Sequence, residues 1–175
     1  RGPLAGPVYA AAVILRPGQQ IEGVNDSKKL SEKKRETLFD TICSQCAAYG
    51  IGSATEKEID EINILNATYL AMQRAVAALP VQPDCALVDG NRAPDLPLEV
   101  RTIIKGDAQS ASIAAASILA KVSRDRYMLQ MAEKYPQYAF EKHKGYGTKL
   151  HYERLEQYGI SPIHRLSFLK KWMNR

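Results

Sequence analysis

The chain has 175 residues, of which 45% are hydrophobic and 25% charged, and its formal net charge is +5. This length and composition fit one domain with a sizeable core. No apolar run is long enough to cross a bilayer and no signal peptide leads the sequence, so we expect a soluble, cytoplasmic protein without membrane attachment. The positive charge favours a polyanionic partner such as nucleic acid, although many basic proteins bind none.

The cysteines do not indicate a zinc site or a disulfide framework. Cys43 and Cys46 match a C-x-x-C spacing, but no second pair and no suitably spaced histidines complete four ligands. We interpret these two residues and Cys85 as small hydrophobic side chains of a predicted helix and strand. The three histidines of the chain have no partner spacing that indicates a ligand, and we interpret them as surface or loop residues.

The first predicted element is a buried strand from Pro7 to Leu15, an apolar run rich in Val and Ala with a Pro/Gly turn after it. The preceding loop, Arg1-Gly2-Pro3-Leu4-Ala5-Gly6, contains glycines that let a backbone approach a ligand closely. Taken alone, this loop is interpreted as merely a flexible end.

A polar loop, Asn25-Asp26-Ser27-Lys28-Lys29-Leu30-Ser31, leads into a helix that we expect Ser31 to cap. Two adjacent lysines usually mark a solvated corner.

A strand from Ala47 to Ala54 follows, weakened by its glycines. Thr55-Glu56-Lys57-Glu58 is a capping box that opens a short helix. A longer helix is predicted from about Asn63 to Leu79, where Pro80 stops it.

Two short strands then each end near an aspartate. Cys85 to Val88 runs into Asp89, and Val100 to Ile104 runs into Lys105-Gly106-Asp107. If the strands are neighbours in one sheet, the two carboxylates come together and outline a metal site. Taken singly, each aspartate is more simply a turn former or a helix cap.

The C-terminal third is predicted to be mainly helical. A helix from Gln109 to Tyr135 is crowded with Ala and Ser in its first half, and we interpret its basic residues Lys121, Arg124 and Arg126 as a solvated face.

Phe140 to Thr148 is predicted to be a loop with basic and aromatic residues, including Tyr146, which fits nucleic-acid contact but also occurs at ordinary surfaces. We expect Thr148 to cap a helix to Gln157, and Ser161-Pro162 to open a last helix.

Several of these motifs occur in the order typical of one family, bacterial ribonuclease HII, which the chain resembles over essentially its whole length. They are Arg1-Gly2-Pro3-Leu4-Ala5-Gly6-Pro7-Val8, Asn25-Asp26-Ser27-Lys28-Lys29-Leu30-Ser31, Val88-Asp89-Gly90-Asn91, Lys105-Gly106-Asp107, the run from Ala114 to Arg126, and His143-Lys144-Gly145-Tyr146-Gly147-Thr148. One departure is that the family has an Asp-Glu pair and a Gly immediately before the residues that match Arg1-Gly2, and this chain begins after them.

The resemblance implies an α/β fold, a ribonuclease H-like mixed sheet flanked by helices in a single domain over residues 1–175, with a helical C-terminal extension from about residue 136. It also implies that the first central strand, which would pair with Pro7 to Leu15, is missing from the chain. Because the loss of a central strand leaves backbone groups unpaired, we expect the natural protein to be longer at its N-terminus.

The implied activity is that of a metal-dependent endonuclease that hydrolyses the RNA strand of RNA–DNA hybrids and nicks duplex DNA on the 5′ side of embedded ribonucleotides. Asp89 and Asp107 would be catalytic ligands of Mn²⁺ or Mg²⁺. With the Asp-Glu pair absent, we expect the chain as written to be impaired or inactive. The alternatives are a non-catalytic protein that binds hybrid duplexes and, less favoured by the basic loops, a small-molecule phosphohydrolase.

The resemblance also implies how a monomer would contact its nucleic acid. Backbone groups of Arg1 and Gly2 would contact the ribose 2′-hydroxyl, which distinguishes RNA from DNA. Tyr146 would stack on the deoxyribose beside the cut, and Lys28 and Lys29 would lie near the phosphates.

Overall fold

The computed structural model describes residues 1–24 and 27–175. Asn25 and Asp26, which belong to the predicted polar loop, lie outside the described residues. No helix in the described part is both long enough and apolar enough to span a membrane.

Strands and helices alternate along the first two thirds of the chain, and the last third is helical, so the predicted α/β class is confirmed. The strands are β1 (Val8–Ile14), β2 (Ala48–Ala54), β3 (Cys85–Asp89) and β4 (Glu99–Ile103). The helices are α1 (Glu32–Gln45), α2 (Glu56–Ala77), α3 (Gly106–Gln109), α4 (Ala111–Lys134), α5 (Phe140–His143), α6 (Lys149–Tyr158) and α7 (Leu166–Met173). Short 3₁₀ helices cover Ser27–Lys29 and Pro136–Tyr138.

The strands of the described chain form two two-stranded sheets, β1 with β2 and β3 with β4. The second pair is parallel. The β2 strand packs closely on α2, because a Cβ atom placed on Gly50 or Gly52 would collide with the backbone carbonyl of Ala75 or Ala71. The glycines that weaken β2 as an isolated strand therefore allow a close strand-to-helix contact. The absence of a central strand stays a prediction.

The chain divides into two compact units, one of residues 1–8, 54–68 and 123–175 and the other of residues 9–53 and 69–122. We call them the loop unit and the sheet unit. The core of the sheet unit contains Ile42, Ile118 and Leu119. The loop unit has an aromatic core around Phe140 and Tyr138. The prediction of a single domain remains untested.

Three helix caps predicted from the sequence are confirmed. Ser31 Oγ accepts a hydrogen bond from Lys34 N at 3.2 Å, and Thr148 Oγ1 accepts one from the third residue of its helix, also at 3.2 Å. In the capping box, Thr55 N donates to Glu58 Oε2 and Glu58 N donates to Thr55 Oγ1.

Some predicted boundaries are wrong. The helix expected from Gln109 is interrupted at Ser110, whose extended backbone separates α3 from α4. The segment expected to be a loop from Phe140 begins with the single helical turn α5. The last helix begins at Leu166 rather than at Ser161-Pro162, because the carboxylate of Asp60 accepts hydrogen bonds from the N–H groups of residues 166 and 167 and thereby caps α7.

Candidate active site

The predicted neighbouring strands are confirmed, and their carboxyl ends lie at the same edge. In the parallel register Asp89 lies opposite Ile103, and Gly90 N donates to Ile103 O at 2.9 Å. In a parallel pair the carboxyl ends of both strands lie at the same edge of the sheet. In open α/β sheets this is the edge where ligands bind. The turn after β3 and the turn after β4 therefore lie side by side.

A hydrogen bond fixes the carboxylate of Asp89. Its Oδ1 accepts from Gly106 N at 2.8 Å, and Gly106 is the first residue of α3 and directly precedes Asp107. Gly106 is buried, and a Cβ atom there would lie 2.6 Å from Ile113 Cδ1. A side chain at position 106 would therefore require the Ile113 side chain to move.

The chemistry of these two side chains suits a hard cation. Asp89 is exposed and Asp107 is half-buried, and carboxylate oxygens are the ligands that Mg²⁺ and Mn²⁺ prefer. Within residues 1–24 and 27–175, however, no group of three or more His, Cys, Asp or Glu side chains could hold a metal ion. The described part of the chain thus brings a pair of acidic side chains to this edge.

In the loop unit, the buried Arg165 holds the N-terminal segment. Its guanidinium donates to the carbonyl oxygens of Arg1 and Gly6, each at 2.8 Å, and to that of Pro7 at 3.3 Å. The side chain is 1% exposed. Burial, and next the neighbouring Arg124, lower the pKa of Arg165 to about 10, which leaves it positively charged at neutral pH.

Arg124 binds the same segment and a second loop. It donates to the carbonyl oxygens of Ala5, Pro7 and Lys144 at 2.8 to 3.1 Å. The interpretation of Arg124 as part of a solvated face is therefore wrong, because its guanidinium is buried against backbone carbonyls. The pattern within the helix gave no indication of these partners, which lie far away in the sequence.

A half-buried acid, Glu56, accompanies the two arginines. Glu56, at the start of α2, has its pKa raised by burial, and Arg165 and Arg124 offset that rise in part. One of its oxygens, Oε1, has no hydrogen-bond partner among the described residues. In the sequence, Glu56 is recognisable only as a member of a capping box, and its two arginine neighbours are not predicted.

The N-terminal segment and the loop that carries Tyr146 are brought together. Leu4 N donates to Gly145 O at 2.8 Å. Gly145 has a φ of +89°, and a Cβ atom there would lie 2.5 Å from Ala5 O, so the contact requires glycine. The Tyr146 ring is 46% exposed, and the Arg124 guanidinium lies 5.8 Å from its centre.

Arg1 and Gly2 are exposed at the start of this segment, and nothing lies within 4 Å of a Cβ atom placed on Gly2. The loop unit therefore contains three of the candidate nucleic-acid contacts, Arg1, Gly2 and Tyr146. The two segments that carry them are held by hydrogen bonds from Arg165 and Arg124.

Lys28 and Lys29 lie in the sheet unit on the 3₁₀ turn Ser27–Lys29 and are exposed. The turn is held from α1, since Arg35 Nη1 donates to the carbonyl oxygens of Ser27 and Leu30. The two lysines thus lie exposed on a turn that α1 holds in place.

The interpretation of the histidines as surface or loop residues is wrong. His143, His151 and His164 are all buried in the loop unit, and their rings contact one another. No spacing within the sequence indicates this cluster, because its members are brought together by α5, α6 and the turn before α7.

Comparison with known proteins places the chain among nucleases. The family model for Ribonuclease HII matches residues 1–171. Ribonuclease HII from Marinomonas sp. (strain MWYL1) is 62% identical over 169 residues, which cover 96% of this chain and 85% of that protein. Ribonuclease HII from Caldicellulosiruptor bescii is 59% identical over 170 residues, which cover 97% of this chain and 82% of that protein. The crystal structure of ribonuclease H2 from Pyrococcus horikoshii OT3 has a TM-score of 0.78 and 27% identity, with 100% of this chain and 95% of that chain covered.

Proposed function

The chain belongs to the ribonuclease HII family, and from that premise we propose that it nicks duplex DNA on the 5′ side of embedded ribonucleotides, with Asp89 and Asp107 as its metal-binding carboxylates. As a type 2 ribonuclease H, it is an endonuclease for the RNA strand of RNA–DNA hybrids, and the family depends on divalent metal ions. The observation that carries the assignment of the site is the hydrogen bond from the backbone of Gly106 to Asp89.

In this proposal Asp89 and Asp107 hold Mg²⁺ or Mn²⁺, which when bound supplies an activated water and stabilises the leaving oxygen. Gly106 N–H keeps the Asp89 carboxylate in one orientation, so that its other oxygen is presented to a cation. Two carboxylates supply part of the set of hard oxygen ligands that a pair of such cations needs.

The loop unit would recognise the ribonucleotide. We assign the backbone of Arg1 and Gly2 to the 2′-hydroxyl and the Tyr146 ring to the sugar beside the cut, because a ring face packs on a sugar and a backbone amide can donate to a hydroxyl. Arg165 and Arg124 hold these groups in place through carbonyl oxygens. Lys28 and Lys29 would neutralise phosphates along the duplex.

The test is cleavage of a duplex that carries one ribonucleotide, with Mg²⁺ or Mn²⁺, followed by mapping of the cut. We expect a nick on the 5′ side of the ribonucleotide. We expect Asp89→Asn to reduce the rate at least about a hundredfold, because loss of even an outer-shell partner of a metal ligand costs about 10–100-fold. Asp84→Asn is the matched control, because Asp84 is exposed and directly precedes the opposite end of β3.

Cleavage that is unchanged in Asp89→Asn, or equally reduced in Asp84→Asn, would remove the assignment of the site. Tight binding of the duplex without cleavage in either metal would favour the non-catalytic alternative.

A further inference from the structure

The three histidines of the chain form one buried cluster. His143, His151 and His164 are 7%, 0% and 2% exposed. The rings of His143 and His151 stack with their centres 4.3 Å apart, and the centres of His151 and His164 lie 5.1 Å apart. Phe140 contacts all three rings. Buried polar rings need hydrogen-bond partners, and each of these rings has them.

The hydrogen bonds of two rings fix where their protons lie. Ser161 N donates to His164 Nδ1 at 2.9 Å, so Nδ1 carries no proton and the proton of the neutral ring is on Nε2. His164 Nε2 lies 2.9 Å from His151 Nε2 and must therefore be the donor of that pair. His151 then carries its proton on Nδ1, which donates to Tyr146 O at 2.9 Å. One directed chain of three hydrogen bonds thus runs from Ser161 to the backbone of Tyr146.

The third ring holds the neighbouring residue of the same loop. Gly145 N donates to His143 Nδ1 at 3.1 Å, so Nε2 carries the proton and donates to Tyr138 O at 2.9 Å. Burial lowers the pKa of all three histidines, to about 4 for His151 and His164, which keeps the rings neutral near pH 7. Neutral imidazole has one donor and one acceptor, and this network uses both in every ring.

The loop held by these rings has an unusual backbone. Lys144 and Gly145 both have positive φ angles, +50° and +89°, and Tyr146 follows them with its ring exposed. The left-handed conformation is unfavourable for a residue with a side chain, such as Lys144, unless its surroundings fix it, whereas glycine adopts it freely. His143 and His151 supply that constraint, because His143 accepts a hydrogen bond from the N–H of Gly145 and His151 donates one to the carbonyl oxygen of Tyr146.

We propose that His143, His151 and His164 are positioning residues that hold the Tyr146 ring in the orientation needed to contact a nucleic-acid sugar. This inference rests on the proposed function of Tyr146. The competing explanation is that the rings only fill the core. If the rings only fill the core, the effect of a substitution depends on the volume of the new side chain. If they position the loop, the effect depends on where the new side chain places its hydrogen-bond donor.

Amide variants separate the two explanations. An asparagine amide lies close to the position of Nδ1, and a glutamine amide extends to about the position of Nε2. At position 151 the donor to Tyr146 is Nδ1, so His151→Asn should retain the bond and His151→Gln should lose it. At position 164 the donor to His151 is Nε2, so His164→Gln should retain the bond to His151 and lose the one from Ser161 N, and His164→Asn should do the reverse.

The first measurement is hydrogen exchange of the loop amides, which does not depend on catalysis. Gly145, Tyr146 and Thr148 all donate backbone hydrogen bonds within the loop. We expect roughly fivefold faster exchange at these amides in His151→Gln and in His164→Asn, as for the loss of one hydrogen bond, and exchange near that of the wild type in the other two variants. Amides of α1 report global unfolding, so the change at the loop amides is compared with theirs to remove any loss of overall stability.

The proposal requires asparagine to preserve the wild-type exchange rate better than glutamine at position 151, and glutamine better than asparagine at position 164. If asparagine and glutamine behave alike at each position, or if the loop exchanges at the wild-type rate in all four variants, the rings are core filler and the proposal fails. If the variants at position 151 do not fold, the pair at position 164 decides the question by itself.

The second measurement is the dissociation constant for a duplex with one ribonucleotide, determined by fluorescence anisotropy without divalent metal. His151→Gln should weaken binding in the wild-type background and have no further effect in a Tyr146→Ala background, because the two changes remove the same contact. If Tyr146→Ala binds the duplex as the wild type does, the proposed role of Tyr146 fails, while the exchange data still decide whether the histidines position the loop.

Discussion

Acidification is expected to destabilise the fold through the buried histidines, beginning near pH 6.5, before ordinary carboxylates are protonated. The pKa of His151 falls from an ordinary 6.5 to about 4 because the ring is buried, and that of His164 does so for the same reason. The unfolded chain therefore binds more protons than the folded chain between these values. The histidine contribution to stability is complete above pH 6.5 and is lost as the pH falls toward 4.

The size of the effect follows from the two pKa values. At about pH 5 an unfolded histidine is almost fully protonated while buried His151 is mostly neutral, which costs the folded state about 2 kcal/mol relative to pH 7.5. His164 adds a loss in the same direction. For a protein whose total stability is of the usual size, about 5–15 kcal/mol, this is a large fraction.

Urea denaturation between about pH 7.5 and pH 5 measures this loss, since the free energy of unfolding is read from the midpoint and slope at each pH. The His151→Asn variant is the control, because asparagine keeps the donor toward Tyr146 but cannot be protonated. We expect its free energy of unfolding to fall less steeply over this range. A wild-type free energy that is flat over this range, or a slope that is the same in the variant, would refute the reasoning.

Three further outcomes are expected from contacts in the loop unit. Asp60→Ala leaves the first N–H groups of α7 without their acceptor and should lower the free energy of unfolding by about 1–2 kcal/mol, measured by urea denaturation, with Asp60→Asn less affected. Gly145→Ala should cost more than Gly159→Ala in the same assay, since both have positive φ but only at Gly145 would a Cβ atom strike a carbonyl oxygen. Glu56→Gln should raise the melting temperature at neutral pH, because the raised pKa of Glu56 means that its carboxylate form destabilises the fold. This gain should disappear toward pH 4.5, where the carboxyl group of the wild type becomes protonated. A lower melting temperature of the variant at neutral pH would contradict this.

Features set by local sequence are the ones that the sequence predicted well. Ser31, Thr55 and Thr148 each cap a helix through a donor three residues away, so the pattern and its structural consequence lie in the same short window. The same holds for the apolar run that delivers Asp89 into a turn. The prediction that Asp89 and Asp107 come together depended on β3 and β4 being neighbours, and the two strands are paired in parallel.

Features set by distant partners were missed. Arg124 contacts a carbonyl 119 positions earlier in the chain, and Arg165 contacts one 164 positions earlier. No periodicity records such a contact, and a charged side chain on a helix is usually solvated. The histidines were misassigned for the same reason, because the donor and acceptor of each ring become visible only when three separate elements have packed.

The buried polar groups of the loop unit share a target that explains why they are buried. Arg124, Arg165, His143 and His151 direct their donors at backbone carbonyls, and those carbonyls belong to residues 1–7, 138, 144 and 146. Burying a guanidinium carries a desolvation cost, and an apolar core of the same volume is often at least as stable. Stability alone therefore does not account for two buried arginines and three buried histidines. What they provide is a fixed backbone path for the segments that carry the exposed residues Arg1, Gly2 and Tyr146, which is what the proposed contact with a 2′-hydroxyl would require.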